Sequence, residues 1–341
     1  MVRKQEFTGY SGSAGTAVAE TVVVPRPSPV RRWSSRVLLV LGWLAVLVGA
    51  AGVALHYAPW AQREIVLAAS FAPYLMLGAL VGAVLLLLAR GWRSALVAGA
   101  VVAAALFSQL TLFVPDGKAS FAVEIPVMQS NLYFGEADAD AVVRSVRDND
   151  IELLTLEELT PEMLLRLEAA GLDAELPYRY LAPLGGGAGG GIFSRHALQD
   201  GVTLAGFELA NLRATMLHPQ RGPVTVFQFH PVPPPLNFAA WVDEMDRIRE
   251  LLATTSGPAI VGADFNATFD HYAYRQLLTG RFADAAELAG AGRLTSWPEE
   301  PSWGPVIGID RVLVAEGQAE DVRTLAVPGS DHRAVIARLR L

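Results

Sequence analysis

Six short stretches in the second half of the chain gather the side chains that could do chemistry. They are Gln129-Ser130-Asn131, Leu156-Glu157-Glu158, Phe227 to His230, Gly262 to Ala267 with Asp264 and Asn266, Ile309 to Val312 with Asp310, and Ser330-Asp331-His332. Carboxylate and carboxamide oxygens dominate them, joined by two histidines. Such oxygens are hard ligands suited to Mg²⁺, which keeps several waters and takes one or two protein carboxylates beside substrate phosphate oxygens. Hydrolysis of a phosphate ester further needs a positioned water, neutralised phosphoryl charge and help for the leaving oxygen. The chain has no cysteine, which excludes disulfides, thiolate catalysis and Cys-ligated zinc.

Each stretch falls at the end of a β-type run, where α/β scaffolds expose reactive groups. Strands are expected at Ala122–Met128, Ile151–Leu156, Val224–Phe229, Ala259–Gly262 and Asp310–Ala315, with helices at Asp138–Arg147 and Phe238–Ala253. This alternation marks residues 121–341 as a mixed α/β domain. The tract Gly185 to Gly191 lacks the Lys and Ser/Thr of a phosphate-binding loop and reads as a flexible hairpin tip near the site. Trp297 reads as core and Trp303 as open to a substrate or membrane. His56, His196, His218 and His271 lie outside the motifs and read as packing or surface residues.

Taken in order, the six stretches closely resemble the endonuclease/exonuclease/phosphatase superfamily, the DNase I-like group that includes nucleases, inositol polyphosphate phosphatases and sphingomyelinases. The resemblance spans nearly all of the second half and implies a four-layer β-sandwich flanked by helices. It implies Glu158 as principal ligand of Mg²⁺, or of Mn²⁺, with Asn131 and Asp331 close to the metal or its waters. Relatives carry Gln-Glu where this chain has Glu157-Glu158, which leaves some choice between the two; Glu158 occupies the family's Glu position. By the same resemblance Asp264 positions or deprotonates the attacking water, and Asn266 bonds the phosphoryl oxygen or that water. His332, paired with Asp310, meets the phosphate, as does His230. The general base stays open between Asp264 and His332.

The first half is of another kind. Hydrophobic residues make up 52% of the 341-residue chain and charged ones 18%, which directs attention to a membrane part. Three runs without an ionisable residue, Val37–Leu55, Ile65–Ala89 and Ser94–Val114, each have the length to cross about 30 Å of hydrocarbon. They make residues 36–115 a three-helix transmembrane anchor, after a disordered cytoplasmic tail over 1–35. Arg26, Arg31, Arg32 and Arg36 precede the first run and Arg90 and Arg93 follow the second, so the positive-inside rule places the N-terminus in the cytoplasm and the catalytic domain outside. Gly78 and Gly82 form a small-residue pair that lets helices approach closely.

Up to Val114 there are nine Lys and Arg against three Glu, and after it 18 basic against 31 acidic residues, so the two parts carry about +6 and −13. The acidic part lacks the basic footprint of a protein that grips long nucleic acid by its phosphates. The expected function is therefore metal-dependent hydrolysis of a phosphate ester or pyrophosphate in a membrane lipid. A surface nuclease and a catalytically silent receptor are the alternatives.

Overall fold

The computed structural model of the chain describes residues 29–117, 123–299 and 302–341. Residues 1–28 of the expected tail lie outside the described residues, and 29–35 are already helical. Four helices come first: α1 (Pro29–Tyr57), α2 (Arg63–Ala69), α3 (Ala72–Leu88) and α4 (Trp92–Gln109). There follow β1 (Glu124–Asn131), α5 (Ala139–Asp148), β2 (Leu153–Glu157), α6 (Pro161–Ala169), α7 (Leu172–Glu175), β3 (Tyr178–Ala182), β4 (Gly190–Ser194), β5 (Leu198–Thr203), β6 (Leu212–His218) and β7 (Gly222–Phe229). The chain closes with α8 (Phe238–Thr254), β8 (Ala259–Asp264), α9 (Tyr272–Leu277), β9 (Phe282–Asp284), α10 (Ala285–Ala289), β10 (Asp310–Ala315), β11 (Gln318–Ala326) and β12 (Arg333–Arg340).

Among the described residues two helices are long and apolar enough to cross a membrane, over Trp33–Tyr57 and Trp92–Phe113; there are three if the bent pair α2 and α3 counts as one span. The continuous helix expected over Ile65–Ala89 is broken, with α2 and α3 meeting at 66°. Pro73, in the first turn of α3, explains the break: it has no N–H to donate, and its ring would clash with the carbonyl four residues back in a continuous helix. The helices pack through glycines. A Cβ on Gly49 would lie 2.3 Å from Ala79 N, and one on Gly82 would lie 2.7 Å from Gly42 O, so α1 and α3 touch backbone to backbone.

The strands form two six-stranded mixed sheets, ordered β11-β12-β1-β2-β4-β3 and β5-β6-β7-β8-β10-β9. Between them lies an apolar layer that includes Val127, Leu153, Val226, Ile260 and Val335. The outer face of the first sheet is covered by α5, α6 and α7 through Val142, Met163 and Leu172, and that of the second by α8 and α9 through Trp241, Ile248 and Tyr274. The result is the four-layer α/β sandwich. Gly262 shows how closely the sheets approach, since a Cβ there would sit 2.1 Å from Thr155 Oγ1. Replacing Gly262 by Ala is expected to lower stability by about 1–3 kcal/mol through overpacking. Denaturation of the full chain in detergent measures this, and an unchanged midpoint would contradict the close sheet contact.

Two parallel pairs set up the site. Strands β1 and β2 pair in parallel and end at Asn131 and Glu157, while β7 and β8 pair in parallel with Phe229 opposite Ala263. Strand β10 runs against β8, with Asp310 opposite Asp264. His332 stands just before β12, which runs antiparallel beside β1. The strand ends therefore bring residues distant in sequence to one edge of the sandwich.

Candidate active site

At that edge Asp264 is the hub. Its Oδ1 accepts from the Asn266 backbone N–H at 2.9 Å and its Oδ2 from Asn131 Nδ2 at 3.1 Å. The same Oδ2 lies 3.7 Å from His230 Nε2 and 3.8 Å from His332 Nε2. His332 Nδ1 is bonded to Asp310 Oδ2 at 2.8 Å, and its Nε2 stands 3.8 Å from Asp331 Oδ1. Asn131 also donates to Glu158 Oε1 at 3.1 Å, while its own Oδ1 accepts from the Tyr133 N–H at 2.9 Å. Asn266 donates through Nδ2 to the Pro231 carbonyl at 3.1 Å. All eight residues singled out in the sequence thus meet in one cluster.

The backbone shows local strain at two of them. Glu158 and Asn266, each just past a strand end, have φ of +59° and +50°, a region costly for Glu and better tolerated by Asn. The Phe134 N–H, bonded to Glu158 Oε2 at 2.5 Å, holds the first in place.

Burial and charge set the protonation. Burial pushes Asp264 up to about 7, helped by the charge of Asp310 and opposed by His332. Burial disfavours the His332 cation, but the carboxylates of Asp310 and Asp264 outweigh it and push the imidazole up to about 10. Burial works against the Asp310 anion as well; the charge and hydrogen bond of His332 prevail and hold its carboxyl below the usual range. His230 is pushed down to about 3, by burial and then by the charge of His332. Glu158 is raised by burial, partly offset by its bonds from Phe134 and Asn131.

Glu157 and Glu158, adjacent in sequence, have opposite surroundings. Glu157 is fully buried, accepting from Gln129 Nε2 at 2.7 Å and Gln228 Nε2 at 3.4 Å. Burial, with the nearby charges of Asp310 and Asp264, raises its pKa well above the ordinary value. Burial thus favours the uncharged carboxyl at Glu157, which is close in shape to a carboxamide. Gln129 also donates to Asp310 Oδ1 at 2.8 Å and so ties Glu157 to the His332 pair.

A divalent cation fits the edge. Glu158 senses the charge of Asp331, and Asp331 Oδ1, buried and 3.8 Å from His332 Nε2, has no hydrogen-bond partner, so hard carboxylate oxygens with coordination capacity left over converge there. Asp264, Asp310 and His332 also place ligand atoms within 4.8 Å of one another, although His332 Nδ1 is already engaged by Asp310. A second such group, Glu152 with His196 and His218, lies beside the start of β2, at the opposite end of the sandwich. There His218 Nδ1 accepts the backbone N–H groups of Gln220 and Arg221 at 3.3 and 3.2 Å. The neutral ring must then carry its proton on Nε2, facing Glu152 at 3.5 Å, which makes this a hydrogen-bonded cluster.

Some contributors lie outside the six stretches. Trp297, read as core, is half-buried and donates its indole N–H to Asp331 Oδ2 at 3.0 Å. Ser296 Oγ accepts from the N–H groups of Ile309 and Asp310 and fixes the start of β10. The glycine tract does join β3 to β4 beside the site, but close contact dictates part of it: a Cβ on Gly189 would lie 1.9 Å from Leu159 O, and one on Gly190 2.4 Å from Gln228 Oε1.

This sandwich, with carboxylates, amides and two histidines at the ends of its parallel strand pairs, defines a DNase I-like fold of the phosphate-ester hydrolases. The model of the Endonuclease/Exonuclease/phosphatase family matches residues 128–332, and the chain belongs to that family. Its members are hydrolases acting on phosphate esters and are generally dependent on divalent metals. Among solved structures, the chain is similar to D. rerio TDP2 complexed with single strand DNA product, with a TM-score of 0.55 and 11% identity over 64% of this chain and 100% of that one. It is similar to a humanized D. rerio TDP2 carrying 14 mutations, with a TM-score of 0.54 and 12% identity over 64% and 99%. An endonuclease/exonuclease/phosphatase from Bacteroides vulgatus matches at 0.49 and 19% identity over 64% and 100%. These likenesses are of fold. No curated protein matches the chain.

Proposed function

We propose that the chain hydrolyses a phosphate-ester or pyrophosphate bond of a lipid-linked substrate at the outer face of a membrane, with Mg²⁺ or Mn²⁺. The observation that carries this reading is the attachment of the complete strand-end cluster to an apolar helix block. Asp270, in the loop after Asn266, bonds His56 at the end of α1 at 2.8 Å and Gln109 at the end of α4 at 2.9 Å. The link between the two parts is described as far as Gly117, and within it Asp116 N bonds Leu288 O at 3.0 Å. An enzyme held this way meets membrane substrates at high effective concentration. The arginines before the apolar stretch of α1 and around the turn from α3 to α4 favour a cytoplasmic N-terminus, with the catalytic unit outside. The acidic charge of that unit disfavours a DNA or RNA substrate.

Glu158 and Asp331 would hold the cation, with Asn131 bracing Glu158 and Asp264. When bound, the metal supplies neutralisation of the phosphoryl oxygens. Asp264 orients a water whose oxygen bonds to phosphorus as the P–O bond to the leaving group breaks. The water's proton passes to Asp264, the cationic His332 gives its proton to the leaving oxygen, and transfer from Asp264 to His332 Nε2, 3.8 Å away, restores both groups. His332, kept cationic and oriented by Asp310, faces the phosphate together with His230 and Asn266. Chelation is expected to abolish turnover and Mg²⁺ or Mn²⁺ to restore it. Glu158→Gln should raise the metal concentration needed by at least roughly 10–100-fold, the range already seen for outer-shell partners of a metal. Turnover indifferent to chelator would sink the metal assignment.

A further inference from the structure

The catalytic edge is turned toward the helix block. His230 leads into the proline-rich loop, where the Pro235 carbonyl accepts from the Arg63 guanidinium of α2 at 3.5 Å. Asp264 and Asn266 lead into Asp270, seated on α1 and α4. Asp310 follows the segment whose Val306 carbonyl accepts from the Tyr74 hydroxyl of α3 at 2.5 Å. Three of the strand ends that build the cleft therefore rest, within a few residues, on the same end of the block. That end carries the exposed rings of Tyr57 and Trp60, as helix ends at a membrane interface do, and the short α2 lies bent across it.

At this level the catalytic unit exposes large apolar side chains on the same loops. Leu236, next to Pro235, is 79% exposed, and Trp303, shortly before Val306, is 76% exposed. Across the cleft stand Phe134, 53% exposed and bonded through its N–H to Glu158, and Leu184, 48% exposed. Single exposed apolar residues are common and mean little. Here Leu236 and Trp303 lie on two loops that follow or precede catalytic strand ends and are bonded to the helix block, and Phe134 stands beside Glu158 and Gly187. Continuity with the helix block names the occupant that covers them.

We infer that the mouth of the cleft faces the bilayer, with Leu236 and Trp303 resting in the headgroup and upper acyl region of the leaflet that holds the outer helix ends. This deepens the function proposed above and rests on its reading that the helices cross a membrane. A lipid phosphate then reaches Asp264 and His332 while its chain stays among the other lipids. Phe134 and Leu184 offer an apolar far wall to the part of the lipid next to the phosphate.

The absence of cysteine from the chain allows single labels. Leu236→Cys, Trp303→Cys and, as control, Tyr178→Cys would each carry an environment-sensitive dye in the full chain, reconstituted in nanodiscs of phosphatidylcholine and phosphatidylglycerol. Tyr178 pairs with Ser194 at the end of the sandwich away from the cleft. Blue-shifted emission, with quenching by headgroup-region spin-labelled lipid severalfold stronger at 236 and 303 than at 178, is the expected result. Water-like emission and equal quenching at all three positions would overturn the inference. The two loop positions report separately, so one poorly folding variant does not hide the answer. Absence of lipid hydrolysis alongside strong quenching would count against the substrate and leave the rim in place, whereas lipid hydrolysis without quenching would remove the rim alone.

Discussion

Replacing His332 by Ala lowers kcat by roughly 10²–10⁴-fold with the fold intact, the range for loss of a positioned proton-transfer group. Its Nε2 faces both Asp264 and Asp331, and its Nδ1 is fixed by Asp310 at 2.8 Å, whereas His230, also near Asp264, has no carboxylate on its Nδ1 to keep it cationic. Asp310→Asn keeps the volume and one acceptor but removes the charge that orients the ring and keeps it cationic, and a large loss is expected there too. The double variant separates mechanism from packing. If Asp310 acts through His332, Asp310→Asn adds little to His332→Ala, and the two losses are far from additive. Losses that multiply would mean that Asp310 does not act through His332, and a His332→Ala enzyme with near-normal turnover of a lipid pyrophosphate or of bis-p-nitrophenyl phosphate would remove the pair from the reaction. Thermal unfolding of each variant checks that the sandwich persists.

The cluster was legible because its members are chemically conspicuous and lie where β-type runs stop. Asn131, Glu158, His230, Asp264, Asn266, Asp310, Asp331 and His332 can be named without knowing how the sheets cross. What escaped depends on contacts between segments far apart in sequence. Nothing in the sequence near Trp297 says that its indole reaches Asp331. Glu157 and Glu158 look alike as letters, but β2 ends between them, and the left-handed backbone at Glu158 turns its side chain to the site while Glu157 stays in the core. The glycine tract suggested flexibility, yet Gly189 and Gly190 are required by neighbours at less than van der Waals distance from any Cβ. Pro73, by contrast, was a local signal inside an otherwise uniform apolar run, and the break between α2 and α3 was readable from it. The docking of helices on the catalytic unit was not readable, because Asp270 and His56 carry no motif.

That docking gives the second large effect, a loss of about 3 kcal/mol on replacing Asp270 by Ala. The carboxylate is fully buried and takes hydrogen bonds from His56, Gln109 and, at 3.2 Å, Arg293. Removing one partner of a buried pair commonly costs about 3–5 kcal/mol because the other charge is left unpaired. The low end applies here, since the Arg293 side chain is 32% exposed and water can reach it. Burial opposes ionisation of Asp270, but the His56 bond, the Arg293 charge and the Gln109 bond outweigh it and hold its pKa below the ordinary 3.8. For a depressed carboxylate the stabilisation is complete above the unfolded value and is lost as pH falls through the folded one. The wild-type seam should therefore hold at neutral and mildly acidic pH and weaken only below about pH 3.8, while Asp270→Ala should be weaker throughout and lack that acid-dependent step. Denaturation of the full chain in detergent at several pH values measures both features. Asp270→Asn keeps polar contacts with His56 and Gln109 and should lose less. An Asp270→Ala midpoint equal to wild type at neutral pH would mean that this ion pair does not hold the catalytic unit against its helices, and the apolar contacts of Leu112 and Val66 would have to do so instead.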